Sequence, residues 1–257
     1  MINLKKAQIN IIFAVLLVFV CAAASRPAVV TVFKSYAKNA ESQKKLPIYS
    51  VDVPEKKIAI TFDAAWGAAD TEELISILKD FDAKATFFVC GYWVDKYPNE
   101  VKRLYEEGHL IGNHGDSHAH VAKLSLEQNR QEILKCHEKV KNLLGIEMNF
   151  FRPPFGEYNN TVLDAAETAN YFTVQWDVDS HDWFIKSAKA EIDQVLKHKH
   201  LGGGSILLFH NDAKFTPEAL PAILKGLKDS GYEIVPLTEL IHKENYRINH
   251  EGRQILN

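Results

Sequence analysis

The chain has 257 residues, 46% of them hydrophobic, with 30 Lys and Arg against 33 Asp and Glu and a formal net charge of -3. That length and apolar content suffice for a sizeable core in one or two domains, a single α/β barrel among the options. The mixed, nearly balanced charge argues against a nucleic-acid partner, and three cysteines without zinc-ligand spacing argue against a disulfide scaffold.

Residues 1–25 read as a signal peptide or membrane anchor. Lys5 and Lys6 form a basic start, Ile11 to Ala24 an apolar run, and Ala22-Ala23-Ala24 a small-residue end before Ser25. Cut, the run is an export signal. Uncut, it is nearly long enough to span a bilayer, with the preceding charges favouring a cytoplasmic N-terminus. Either way the rest is expected outside the cytoplasm, secreted or anchored at the membrane. A lipoprotein role for Cys21 is discounted because Val20 before it is large. Residues 26–54 are polar and basic and read as a linker.

From residue 55 to 242 short apolar runs alternate with segments of helical spacing. The runs are "KIAITFD", "ATFFVC", "HLIGNH", "NFFRPP", "FTVQWDVD", "SILLFH" and "YEIVPL". Thr71 to Phe81 places Leu74, Ile75, Ile77, Leu78 and Phe81 on one face. Ser125 to Leu144 opens on a Ser125/Gln128 capping box and closes before Gly145. A third helix is expected from about Pro217 to Lys228, with Thr216 as N-cap. This alternation predicts an α/β fold with a parallel sheet covered by helices, and about seven strands suit a barrel. Residues 243–257 read as a polar tail. Cys90 ends an apolar strand and reads as a core residue.

Asp63, His114, Arg152, the pair Asp177 and Asp179, and His210 each lie at or just after the end of a predicted strand. In parallel α/β folds that edge carries the active site. In "NHGDSHAH", His114 and His118 are four apart, so a helical turn would aim both imidazoles at one metal ion; the alternative is two exposed loop histidines. His120 reads as a bystander. In "FFRPPFGEY", Arg152 before a rigid turn is either a positioned guanidinium or a surface ion-pair partner. The Phe155 N–H, unlike the neighbouring prolines, is free to donate to an oxyanion. "WDVDSHDW" offers aspartates that orient a histidine and aromatics that wall a sugar site, or else an acidic loop with core tryptophans. His210 is either a general acid or a satisfied core histidine.

Taken in order, "TFDAAWG", "NHGDSH", "RPPFG", "DSHDW" and "LLFH" resemble the NodB-type polysaccharide deacetylases, carbohydrate esterase family 4, over about Lys57 to Ile241. The "FDAAWG" form looks most like a subgroup of Gram-positive cell-wall and sporulation deacetylases. The resemblance implies a distorted (β/α) barrel. It implies Asp63 as catalytic base, His114 and His118 as metal ligands, and Arg152 as the residue orienting the base. It also implies Asp182 tuning the acid, Trp183 lining the groove and His210 as general acid. The implied cofactor is a divalent metal, usually zinc. The implied partner is a cell-wall glycan, most often peptidoglycan, whose N-acetyl groups are removed; chitin-type oligosaccharide is the neighbouring reading. No protein partner is implied.

One position departs from the family pattern. Alanine stands at 64, where the family carries an aspartate as third metal ligand. Asp116, Asp63 itself or water would then complete the site, or metal and activity are lost. Asp116 is disfavoured because it would face away from the histidines on a regular helix. A wall-binding protein without catalysis is therefore the competing expectation. A glycosidase built on two carboxylates would leave the histidines without a role.

Overall fold

The computed structural model describes residues 44–257, and the architecture lies within Lys45–Asn257. The signal or anchor expected over residues 1–25, and most of the expected linker, fall outside the described residues. Among the described residues no helix is long and apolar enough to cross a membrane.

The strands, in chain order, are β1 (Ser50–Val51), β2 (Lys57–Ala64), β3 (Thr86–Val89), β4 (Leu110–Asn113), β5 (Phe150–Phe151), β6 (Phe172–Thr173), β7 (Val178–Asp179), β8 (Ile206–His210), β9 (Glu233–Ile234), β10 (Tyr246–Ile248) and β11 (Arg253–Leu256). The α-helices are α1 (Thr71–Asp80), α2 (Gly91–Lys96), α3 (Pro98–Glu106), α4 (Leu126–Leu144), α5 (Asn160–Thr168), α6 (Ala188–Leu196), α7 (Thr216–Asp229) and α8 (Leu237–Leu240). Seven parallel strands form one curled sheet, ordered β6-β5-β4-β3-β2-β8-β7, with β9 paired to the start of β2.

Strand β2 shows why the sheet carries chemistry on its inner side. Ile58, Ile60, Phe62 and Ala64 alternate onto the outer face and join the core that Leu74 and Leu78 of α1 and Leu220 of α7 complete. Ala59, Thr61 and Asp63 take the other face, and Ala59 packs there with Phe88, Phe150 and Ile206. Small and polar residues inside leave room for a site at the strand's C-terminal end.

The run "FTVQWDVD", expected as one strand, supplies two. β6 and β7 lie at opposite edges of the sheet with four residues between them. Four linking residues, five steps of the chain, reach at most about 18 Å, so the sheet must curl to bring its edges toward each other. The intervening residues leave the ladder because other partners claim them. Gln175 N–H donates to Ile48 C=O at 2.7 Å, and the Asp177 carboxylate accepts from Ile206 N–H at 2.8 Å and Ser205 Oγ at 3.1 Å.

The expected polar tail is a paired structure. β10 and β11 form an antiparallel hairpin, and β11 pairs in parallel with β1. Gln254 is buried; its amide accepts from His242 N–H at 2.8 Å and donates to His242 C=O at 2.7 Å. Backbone pairing holds these residues where apolar content does not. Ile48 and Val51, within the expected linker, are likewise buried.

Helix α4 has its capping box at Ser125 and Gln128, and Gly145 ends it at φ 73°, a conformation that favours glycine. Helix α7 differs from expectation. Phe215 holds the N-cap position without a side-chain cap, and Thr216 is buried one residue on. Two carboxylates divert its hydroxyl, which lies 2.9 Å from Glu191 Oε1 and 3.3 Å from Asp182 Oδ2.

Candidate active site

Asp63 and His210 are register partners on β2 and β8, so both side chains stand on the same face at the same sheet edge. Asp63 is buried. Its Oδ1 accepts from Arg152 Nη1 at 2.8 Å, and its Oδ2 lies 3.5 Å from His114 Nε2. Burial works to raise the Asp63 pKa, but Arg152 foremost, together with His210, outweighs it and holds the carboxyl below its ordinary value. Asp63 is thus ionised at neutral pH, with one oxygen engaged and the other turned to His114.

Arg152 follows β5 and is fully buried, which excludes the surface ion pair. Besides Asp63, its Nη2 donates to Gln175 C=O at 3.1 Å, and the guanidinium stacks 4.2 Å from the Phe88 ring. Burial pulls its pKa down against the pull of Asp63.

His210 is gripped twice by Asp182. Its backbone N–H donates to Asp182 Oδ2 at 2.6 Å, and Nδ1 lies 2.7 Å from Asp182 Oδ1. Burial disfavours the imidazolium, but Asp182, then Asp63 and Asp179, outweigh burial and raise the pKa above its ordinary value. Behind Asp182 sits Thr216, and behind Thr216 the buried Glu191, whose pKa burial pushes up to about 7. The Thr216 hydroxyl has both carboxylates as acceptors, Glu191 Oε1 at 2.9 Å and Asp182 Oδ2 at 3.3 Å, and so links Glu191 to the carboxylate that holds His210.

His114 follows β4, and Nδ1 is 2.7 Å from the Arg152 carbonyl. A carbonyl only accepts, so Nδ1 carries the proton and the neutral ring presents a bare Nε2 to the Asp63 carboxylate. His118 faces the same space, its ring 5.1 Å from that of His114. The connecting loop is not the helical turn expected: Gly115 has φ 77° and His118 φ 56°, and this left-handed loop brings the imidazoles together. Burial and the neighbouring His114 push the His118 pKa down to about 4, so its lone pair is available.

The third position of this cluster is bare at Ala64, which is fully buried. Asp116 does not fill it. Its carboxylate pairs with Lys139 at 2.6 Å and occupies the space over Gly91, where a Cβ would lie 2.0 Å from Asp116 Oδ1. Among the described residues one group of potential ligands clusters closely enough for a metal ion: Cys90, His114 and His118, with donor atoms within 4.8 Å of one another. The bare Nε2 of His114, the neutral His118 and an adjacent thiol are donors that suit a divalent cation.

These groups open onto a cavity of about 1020 Å³. Phe155 and Trp183 line it, both half-exposed or more. Phe155 lies in a tight turn at φ 60°, a costly conformation for a bulky residue; its ring stacks on His120 and meets His118 edge-on. Asp179 reaches the cavity, whereas Asp177 lies at the opposite end of the sheet, against the start of β8. Trp66 was not singled out from the sequence. It is 55% exposed, with its ring 5.3 Å from His118 and 6.0 Å from His210, and so bridges the two histidine clusters. Its position three residues past Asp63, in the loop leaving β2, was the available signal. Cys90 carried the same strand-end signal as Asp63.

Fold and site together define an α/β protein with its polar groups gathered at the strand ends around one cavity, and the comparisons agree. The sequence profile of the family described as polysaccharide deacetylase matches residues 50–174. A peptidoglycan-N-acetylglucosamine deacetylase from Bacillus cereus is 35% identical over 77% of this chain and 74% of its own length. The chain belongs to the polysaccharide deacetylase family. The uncharacterised protein YlxY of Bacillus subtilis is 32% identical over 78% of this chain, which spans 62% of that protein. Among solved structures, a pseudoenzyme of carbohydrate esterase family 4 from Bacillus anthracis superposes with TM-score 0.73 at 27% identity, covering 84% of this chain and 75% of that one. A mutant of it described as having restored enzymatic activity matches with the same TM-score at 30% identity, over 79% and 74% of the two chains.

Proposed function

We propose that the protein is a metal-dependent deacetylase that removes N-acetyl groups from amino sugars of cell-wall peptidoglycan. The observation that carries the reading is the pairing in register of an ionised Asp63 with a His210 whose pKa Asp182 raises against burial, at the mouth of one cavity. A base and an acid with pKa values pushed apart are what amide hydrolysis needs. The "FDAAWG" motif supports an assignment among Gram-positive wall and sporulation deacetylases. The basic-then-apolar N-terminus supports a site of action outside the cytoplasm, secreted or membrane-anchored.

Asp63 takes a proton from water as the water oxygen attacks the acetamide carbonyl carbon. Arg152 fixes the carboxylate so that Oδ2 faces the cavity. His114 and His118 would hold a divalent cation, zinc being the family's usual ion, which would supply Lewis acidity to the carbonyl and lower the pKa of water. The Phe155 N–H is the chain's own donor for the developing oxyanion. His210, with Nδ1–H directed to Asp182, gives the Nε2 proton to the departing sugar nitrogen. The C–N bond breaks, leaving acetate and a free amine. Each acid–base role is worth about 10²–10⁴-fold. Trp183 and Trp66 offer exposed faces on which a sugar ring can lie.

A second reading rests on Ala64: a glycan-binding protein that kept the groove and lost catalysis; the Bacillus anthracis relative is described as a pseudoenzyme. Acetate release from defined peptidoglycan fragments separates the two. Metal-dependent release supports the deacetylase; fragment binding without acetate supports the second reading. Fragments carrying N-acetylglucosamine or N-acetylmuramic acid alone, and chitin-type oligosaccharides, then identify the sugar.

A further inference from the structure

We propose that Cys90 is the third protein ligand of the cation, joining His114 and His118 in place of the carboxylate missing at position 64. The inference deepens the metal-centre part of the reading above. Its test involves no glycan, so it fails or stands separately from deacetylation.

Strand register puts the thiol beside the vacancy. Ala64 pairs with Val89, and the Cys90 N–H donates to the Ala64 carbonyl at 3.1 Å. Cys90 is therefore the first residue past β3 on the strand next to Ala64. Its Sγ is fully buried and turned toward β4, where it makes a weak contact of 3.4 Å with the His114 carbonyl. The donor atoms of Cys90, His114 and His118 already lie within 4.8 Å of one another. A tetrahedral zinc site with bonds of about 2.0–2.3 Å keeps its donors roughly 3.3–3.8 Å apart, so the donors need to close by about 1 Å.

The chemistry is conservative. A thiolate brings the same single negative charge as the absent aspartate. Binding forms a sulfur–metal bond and breaks the S–H bond, and the proton leaves to solvent. Two imidazoles and a thiolate leave an open coordination position, as catalytic zinc sites require. They also change the preferred ion. Sulfur favours zinc and cobalt over the harder magnesium and manganese that an oxygen ligand tolerates. The other described cysteine provides a control. Cys136, on α4, turns its Sγ to the Val89 carbonyl at 3.2 Å and is not among the clustered donors.

The experiment is titration of the metal-stripped full chain with cobalt(II), followed by absorption spectroscopy. The expected result is a near-ultraviolet sulfur-to-cobalt charge-transfer band, retained in Cys136→Ser and lost in both Cys90→Ser and Cys90→Ala. Cobalt affinity should fall in the Cys90 variants by at least the 10–100-fold that even outer-shell partners typically carry. X-ray absorption on the zinc-loaded wild-type chain needs no variant and should show one sulfur at about 2.3 Å. Cobalt bound without the band, no cobalt binding, a band that survives loss of Cys90, or a zinc shell of nitrogen and oxygen alone would each overturn the proposal.

Discussion

Asp63 and His210 each lean on a buried partner, Arg152 and Asp182, through hydrogen bonds of 2.8 Å and 2.7 Å. Beside them His118 is packed among the rings of His114, Trp66 and Phe155, and Ala64 offers no donor. The acid–base half is preorganised by the chain itself. The metal half consists of lone pairs facing one another and a carboxylate, an arrangement that a cation completes. The contrast teaches that losing one metal ligand need not disturb the acid and base, because Arg152 and Asp182, not residue 64, hold them.

The largest effect expected to break this contrast is Asp63→Asn. Acetate release should fall by about 10²–10⁴-fold, with the folded spectrum kept because asparagine still accepts from Arg152. Next is Arg152→Met, which leaves a buried carboxylate unpaired. Unfolding titrations should show a loss of about 3–5 kcal/mol. In that variant the strongest influence opposing burial at Asp63 is gone, so its pKa should rise. In the wild type the folded pKa of Asp63 lies below the ordinary 3.8. The Arg152 pair therefore stabilises the fold above that value, and its contribution is lost as the pH falls through the folded pKa.

Ala64→Asp tests the other half. It should tighten metal binding by at least the roughly 10–100-fold that outer-shell partners typically carry, and raise acetate release without altering the His210 titration. Asp182→Asn should do the reverse: metal affinity unchanged, with the His210 pKa dropping below 6.5 because burial is then the largest influence. Imidazole NMR reads this directly, and the alkaline limb of the pH–rate profile should move down with it. The folded His210 pKa lies above its unfolded value. Its pairing with Asp182 therefore contributes fully below about pH 6.5 and fades as the pH rises through the folded value. The smallest effect is expected from Thr216→Val, which strands Glu191 and loosens Asp182. A stability loss of about 1–3 kcal/mol and a modest shift of the same alkaline limb should be seen.

Much of this arrangement was legible in the sequence, and the gaps have a pattern. Alternation in "IAITFD" located β2 and set Asp63 on the face opposite Ile58, Ile60 and Phe62, because period-two patterning is local. The convergence of Asp63, His114, Arg152 and His210 followed from their shared strand-end position. What escaped depends on partners far along the chain. "FTVQWDVD" looks like one strand until Ile48 and Ile206 claim its middle. The polar C-terminus becomes a hairpin because β1, some 200 residues earlier, offers an edge. Thr216 looks like a helix cap until Glu191 and Asp182 are placed beside it. Cys90 looks like any core residue until strand register brings it next to Ala64.

The most direct test of the account is acetate release from defined peptidoglycan fragments by the metal-stripped chain, with and without added zinc. The account predicts release that appears with zinc and disappears in Asp63→Asn. Fragments that bind while no acetate appears with zinc, cobalt or manganese would contradict it.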